Sequence, residues 1–482
     1  MQLVAYGAQD IYLTGNPQIT FFKAIYRRHT NFAIESIEQT FNGTPSAGSR
    51  VSCTISRNGD LIHKMYLRVN NTVAVTNGCN AVNIAMGGCV APTCPLPVIP
   101  DNVSGNDTSI CANDIIDSVE IEIGGQQIDK HYGDWLNIWT QLTTPASQSA
   151  GTETLLNLNK GVYSYIPLQF WFNRNPGLAL PLIALQYHEV KINIAFNSGG
   201  SSCGGFCEKN PASNSWDRAT LFIDYIYLDT DERRRFAQVK HEYLIEQLQF
   251  TGAETIRPDV SSKHIRLNFN HPIKELIWRA TGMAPRDQIQ TDTAGITGNN
   301  PIVGWMGYVA EMLPRMSMEG HSVSGNYGSD FQYNPVFKYN PSQSVSGRSN
   351  INTNNSNATG NVCASAQWNE ISLQLNGHER FAPRHSEYFR LVQPLQHHTA
   401  IPVNSGIHCY SFAVKPEEHQ PSGTCNFSRI DNAVLKLNGK STMTSNVGEG
   451  GVTMSNCILR IYAINYNVLR IMSGMGGLAY SN

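Results

Sequence analysis

The sequence predicts an all-β chain: two consecutive eight-stranded antiparallel jelly rolls with long loop insertions and few short helices. Three observations predict it. Apolar residues recur mostly at period two, in short runs closed by Gly and Asn turns. The second half repeats the order of signals found in the first. Only 15% of the 482 residues are charged while 41% are hydrophobic, so there is ample material for cores, and the surface relies on neutral polar loops.

The elements follow in order. Phe32 to Phe41 alternates as a strand, with one helical turn as its rival. Val51 to Arg57 and Leu61 to Val69 read as two strands, and Asn58-Gly59 between them predicts a hairpin. Val119-Glu120-Ile121-Glu122-Ile123 alternates and runs into Gly124-Gly125, and Leu221 to Leu228 is a long strand. From Asp229 to Phe236 acids come first and Arg233-Arg234-Arg235 last, which suits a short helix and its dipole. The domain junction is placed there. Strands resume at His241 to Phe250, then Ile265 to Asn270, turning at His271-Pro272 into Ile273 to Ala280. The expected division is an N-terminal segment 1–29, a first jelly roll 30–228, a linker helix 229–240 and a second jelly roll 241–482.

The repeat is specific in its order. Ile121-Glu122-Ile123-Gly124-Gly125-Gln126 has a counterpart in Leu373-Gln374-Leu375-Asn376-Gly377-His378. An aromatic-rich segment follows each, His131 to Trp135 and Ser386 to Phe389, and Asn58-Gly59 is echoed at Asn270-His271-Pro272. Two jelly rolls of roughly 200 residues accommodate this pattern. Two stretches, Val73 to Ala112 and Gly282 to Gln367, read as insertions; loops this long tend to be functional surfaces.

The chemistry excludes several classes. A formal net charge of −2 builds no broad basic face, so direct nucleic-acid binding is not expected. The N-terminus has no basic region followed by an apolar run, and Gly177 to Leu185, interrupted by Pro181, is too short to span a bilayer. Synthesis in the cytosol or its equivalent and no transmembrane segment are expected. Eleven cysteines include Cys79, Cys89, Cys94 and Cys111 in one loop-like region and Cys203 and Cys207 in another; without a paired C-x-x-C they read as loop thiols or late disulfides. No metal and no cofactor are expected.

No catalytic residue is assigned. Gly200-Ser201-Ser202-Cys203-Gly204 matches a nucleophile elbow but lies in a small-residue loop, not at a strand-to-helix turn. Gly439-Lys440-Ser441 lacks the first glycine of a phosphate loop, the position being Val434. His188-Glu189 and His241-Glu242 lack the second zinc histidine, since Ile192 and Ile245 stand there. His397-His398 has no carboxylate near it in sequence, and Glu120 and Glu122 fall on the strand face expected to be solvated. The chain is therefore not read as an enzyme. N-x-S/T triplets occur at Asn42, Asn70, Asn102, Asn106, Asn354, Asn357 and Asn426. The glycosylation candidates are Asn102, Asn106, Asn354 and Asn357, which lie in the polar insertions.

Longer stretches carry a family resemblance. They include Gln2 to Asp10, Leu13 to Lys23, Tyr26-Arg27-Arg28-His29-Thr30-Asn31-Phe32 and Ser56 to Leu61. Leu178 to Val190, His241 to Ile245, Pro421 to Asn432 and Asn465 to Gly474 continue the pattern to the end. In these the chain resembles the major capsid proteins of nucleocytoplasmic large DNA viruses, algal-virus members above all. The resemblance implies two jelly rolls per chain and a homotrimeric, pseudo-hexagonal capsomer. Such capsomers tile the outer shell of an icosahedral virion, beside neighbouring capsomers and above minor capsid proteins. It also implies a glycoprotein, with glycans on outward loops added by virus-encoded enzymes, so Asn446 stays possible. The two insertions are departures from the pattern. The N-terminal segment, which lacks strand alternation, is expected at the capsomer base. The alternative reading from the same strands is a carbohydrate-binding two-domain β-sandwich protein.

Overall fold

The computed structural model describes residues 7–71, 112–156, 158, 162–198, 216–256, 260, 262–282, 368–402, 406–440 and 457–480. The first half carries β1 (Phe32–Gln39), β2 (Arg50–Thr54), β3 (Leu61–Asn71), β4 (Ile116–Ile123), β5 (Gln126–Tyr132), β6 (Tyr163–Pro167), β7 (Leu180–Pro181), β8 (Val190–Phe196) and β9 (Trp216–Leu228). The second carries β10 (His241–Ile256), β11 (Ser262–Arg266), β12 (Pro272–Gly282), β13 (Trp368–Leu375), β14 (His378–Glu379), β15 (Arg384–His385), β16 (Ile407–Ser411), β17 (Cys425–Asn426), β18 (Ala433–Lys440), β19 (Cys457–Met472) and β20 (Met475–Leu478). Strand β8 shows why these segments are strands. Val190, Ile192, Ile194 and Phe196 are buried, while Lys191, Asn193 and Ala195 between them are partly open, the period of a pleated half-buried face.

The sheet orders are β1-β9-β3-β6 and β2-β8-β4-β5 in the first half, then β10-β19-β12-β16 and β11-β18-β13-β14 in the second. The two-residue strands β7, β15 and β17 and the terminal β20 are additions to these sheets. With the additions set aside and the remaining strands numbered within each half, both halves read 1-8-3-6 in one sheet and 2-7-4-5 in the other. The pairings are antiparallel. Each half is a jelly roll, and the two share one topology.

The sequence repeat maps onto this topology. In both halves the fourth and fifth strands are joined by a two-residue hairpin, with Ile123 opposite Gln126 and Leu375 opposite His378. The turn residues are left-handed: φ is 58° and 84° at Gly124 and Gly125, and 49° and 84° at Asn376 and Gly377. Such a turn matches the strand twist and favours Gly and Asn. A helix follows in each half, Gly133–Thr143 in the first and, in the second, a π turn at Tyr388–Val392 continued by Gln393–His397.

The hairpin expected at Asn58-Gly59 does not form. β2 pairs with β8 and β3 with β9, so the segment crosses between sheets. Gly59 is needed there for close approach: a Cβ would lie 2.9 Å from the Tyr225 Cβ. Its echo at His271-Pro272 crosses between sheets in the same way, from β11 to β12.

The helix Thr230–Gln238 connects the halves; Asp229 accepts a hydrogen bond from the Thr230 N–H at 2.7 Å, and Arg233 pairs with Asp60 at 2.9 Å. One apolar core fills the first roll. It continues without a break into Ile245, Ile277, Ile407, Tyr462, Ile464, Leu469 and Ile471 of the second. A further core, around Trp278, Phe389, Leu435 and Ile461, lies within the second roll. The C-terminal residues, which could have been a loose tail, form a last hairpin, β19 to β20, turning at Ser473-Gly474.

Candidate assembly site: the junction between the rolls and the N-terminal arm

The best-formed internal surface of this chain is the junction between its rolls. Main-chain and amide contacts stitch the edges. Leu248 N–H donates to Asp129 Oδ1 at 3.0 Å, Tyr187 N–H to the Gly474 carbonyl at 2.9 Å and Ala400 N–H to the Leu142 carbonyl at 2.9 Å. The Gln247 amide also donates to the Ile128 carbonyl. Aromatic rings fill the space between. Phe250 lies edge-on to Tyr132 at 4.9 Å and stacks on Tyr462 at 4.8 Å, and Tyr462 lies 5.6 Å from Trp135.

Two ionic clusters cross this interface. Asp134, in the first turn of the helix Gly133–Thr143, bonds Arg279 of β12, accepts the Tyr462 hydroxyl at 3.0 Å and lies 3.8 Å from Arg460. Burial first, and then the Asp134 carboxylate, holds the Tyr462 phenol well above its usual range. In the second cluster Glu246 meets Lys274 at 2.7 Å and Arg174 of the first roll at 2.8 Å, with His419 3.8 Å away. Burial alone would raise the Glu246 pKa, but Lys274, His419 and Arg174 together pull it down to about 2. Burial lowers the Lys274 pKa, and Glu246 opposes this. An interface this apolar and this closely paired makes the rolls one rigid body.

The second surface is the N-terminal arm. Residues 7–31 wind outside both sandwiches with a single helical turn, Ile11–Thr14. Tyr12, Leu13, Phe21, Phe22 and Tyr26 are each more than 80% exposed, and Phe32 and Ile34 extend the apolar stretch along β1. Within the single chain these apolar side chains are left exposed.

The glycosylation candidates Asn102, Asn106, Asn354 and Asn357 lie outside the described residues, as do Asn446, the Gly200–Gly204 motif and Cys79, Cys89, Cys94, Cys111, Cys203 and Cys207. Of the described thiols, Cys53, Cys409 and Cys425 are free. Glu120 corrects the sequence reading: it is buried, held by Arg50 at 2.8 Å and Lys130 at 2.7 Å. His398 also does. Two carboxylates distant in sequence flank it, Glu275 bonded to Nε2 and Glu417 Oε1 3.0 Å from Nδ1. The junction charges were not singled out from sequence. Their one signal is Lys274-Glu275 set inside the apolar run of β12. Among the described residues no helix is long and apolar enough to cross a membrane.

Comparison with known proteins places this architecture. Residues 232–477 match the family model described as large eukaryotic DNA virus major capsid protein, and residues 20–229 match that of the major capsid protein N-terminus. The major capsid protein of Pyramimonas orientalis virus is 44% identical, the alignment covering 100% of this chain and 99% of that one. A crystal structure of PBCV-1 VP54, fitted into a reconstruction of the Sputnik virophage, is 37% identical with a TM-score of 0.67, over 96% of this chain and 100% of that one. The chain of a quasi-atomic model of the PBCV-1 virus capsid is 36% identical with a TM-score of 0.65, at the same coverage. Two like rolls welded into one body are thus the mark of a shell component, a structural capsid protein of the virion and not an enzyme: the chain belongs to the major capsid protein family of large eukaryotic DNA viruses.

Proposed function

We propose that three copies of this chain close into a homotrimeric capsomer that tiles the outer icosahedral shell of a virion. The observation that carries this reading is the shared strand order of the two rolls, joined through one apolar core. Three such pairs place six similar sandwiches around a threefold axis, so the trimer presents nearly sixfold edges and packs in a hexagonal lattice. The similarity to the PBCV-1 capsid chain supports the same use here. In this reading the division is 1–29, 30–228, 229–240 and 241–482. The apolar arm of 1–29 lies at the capsomer base and meets minor capsid proteins beneath the shell. The polar insertions face outward and carry the glycans, with Asn102, Asn106, Asn354 and Asn357 as acceptors. Synthesis is in the host cytoplasm.

Light scattering of the purified protein tests the trimer. The expected mass is about 160 kDa, three times the 53.3 kDa chain. Electron micrographs of assembled shells are expected to show hexagonally packed capsomers. A stable monomer that binds a glycan array would overturn this reading in favour of a carbohydrate-binding protein.

A further inference from the structure

We propose that Glu275, His398 and Cys409 form a divalent-cation site of the zinc class inside the second roll, with Glu417 orienting the histidine. Glu275 lies on β12 and Cys409 on the neighbouring edge strand β16. The register sets Glu275 opposite Ser411 and Ile277 opposite Cys409, so both residues share one sheet face. His398 enters from the end of the helix Gln393–His397. One oxygen, one nitrogen and one sulfur from the three residues lie within 4.8 Å of one another. All three side chains are buried.

The donor set selects the metal. Thiolate, imidazole and carboxylate together suit zinc or cobalt, whereas magnesium and calcium take oxygen alone. The surroundings match what a metal-bound histidine needs. Glu417 Oε1 stands 3.0 Å from His398 Nδ1, so Nε2, which here bonds Glu275 Oε1, is the nitrogen an ion would take. Glu417 is itself fixed by the Thr399 N–H at 2.8 Å and by the Thr399 hydroxyl. A second feature points to a ligand independently: Glu275 Oε2, on the carboxylate whose other oxygen bonds His398, is buried with no hydrogen-bond partner.

The rival reading is a buried ion pair, with His398 as a cation between Glu275 and Glu417. That reading engages Glu275 Oε1, Glu417 and the Cys409 thiol as partners of His398, and leaves the buried Glu275 Oε2 with nothing to do. The charges also balance for a metal. Zinc binds thiolate and neutral imidazole, so it displaces one proton from Cys409 Sγ and one from His398 Nε2. A dication replacing two protons leaves the charge of the pocket unchanged, so zinc and two protons compete for one place. Bound zinc would staple the edge strand β16 and the chain at His398 to β12.

The test uses the full chain, stripped with a chelator and titrated with Co²⁺ and then Zn²⁺. The expected result is one ion per chain at this site, seen as a thiolate-to-cobalt charge-transfer band. Calorimetry in buffers of different ionisation heat is expected to show about two protons released per zinc. Cys409→Ser is expected to abolish the band, and His398→Gln to weaken zinc at least tenfold. Both variants are checked for native mass and circular dichroism. Because other cysteines in the chain could also take metal, the Cys409→Ser comparison decides. A folded wild type that takes up no cobalt, or a band unchanged in folded Cys409→Ser, overturns the proposal. Neither outcome touches the capsomer reading, which the mass measurement tests separately.

Discussion

Replacing Asp134 with Ala is expected to loosen the two rolls from each other before either roll unfolds. The Asp134 and Arg279 side chains are 9% and 5% exposed, so their pairing is nearly unscreened. Removing one partner of a buried pair leaves the other charge desolvated, a loss of roughly 3–5 kcal/mol. The Tyr462 hydroxyl loses its acceptor as well, which adds roughly 1–3 kcal/mol. Arg460, 3.8 Å away and 20% exposed, contributes little. The sum is a large share of an ordinary folding stability of about 5–15 kcal/mol. Urea midpoints for Asp134→Ala, Arg279→Ala and the double variant form a thermodynamic cycle, the slope converting each shift to free energy. The double variant is expected to cost at least about 1 kcal/mol less than the two singles combined. Limited proteolysis is expected to cut Asp134→Ala faster between residues 229 and 240, where the rolls are joined. Additivity within about 0.3 kcal/mol, with no faster cleavage, would refute the view that this pair locks the junction.

Three further perturbations probe other parts of the argument. Gly59→Ala places a Cβ 2.9 Å from the Tyr225 Cβ, and a thermal scan is expected to show a loss of roughly 1–3 kcal/mol; an unchanged melting temperature would mean the crossover has slack. Acid is expected to weaken the junction through Glu246, whose folded pKa of about 2 lies below its ordinary 4.5. The carboxylate's stabilisation is present above pH 4.5 and is lost as pH falls towards 2, about 3 kcal/mol in all. Urea midpoints from pH 6 to pH 3 capture about 2 kcal/mol of it, and Glu246→Gln should flatten that slope; an equal slope in the variant would assign the acid sensitivity elsewhere. Deleting residues 1–29 is expected to leave the melting temperature nearly unchanged, because the described arm is exposed, while shell assembly fails. Normal shells from the truncated chain would remove the arm from the assembly mechanism.

What the sequence made legible was local. Period-two alternation found β1, β4, β9 and β10, and Gly124-Gly125 announced its hairpin because that turn's chemistry is carried by its own two residues. Asn58-Gly59 carries the same signal and misleads. Turn propensity does not choose partners, and β2 and β3 find theirs in β8 and β9, far along the chain. Glu120 fails for a similar reason. Alternation placed it on the polar face, but Arg50 and Lys130 cover that face. His398 has no carboxylate in its own sequence neighbourhood because Glu275 stands 123 residues away and Glu417 19. Pairing across such separations is a property of the fold, invisible in any window.

The mixture of forces at the junction has a geometric consequence. Apolar contact is non-directional, so Phe250, Tyr132 and Tyr462 alone would tolerate a small rotation of one roll against the other. Buried charges do not tolerate it. A slip that separates Arg279 from Asp134, or Arg174 from Glu246, leaves a desolvated ion with no partner. Buried pairs often add little net stability over an apolar substitute, and a packed apolar junction would hold the rolls together as firmly. What the pairs add is a single relative orientation. The proposed capsomer needs that more than it needs strength, because any error in the angle between the rolls repeats at each threefold-related copy and spoils the nearly sixfold outline on which hexagonal packing depends.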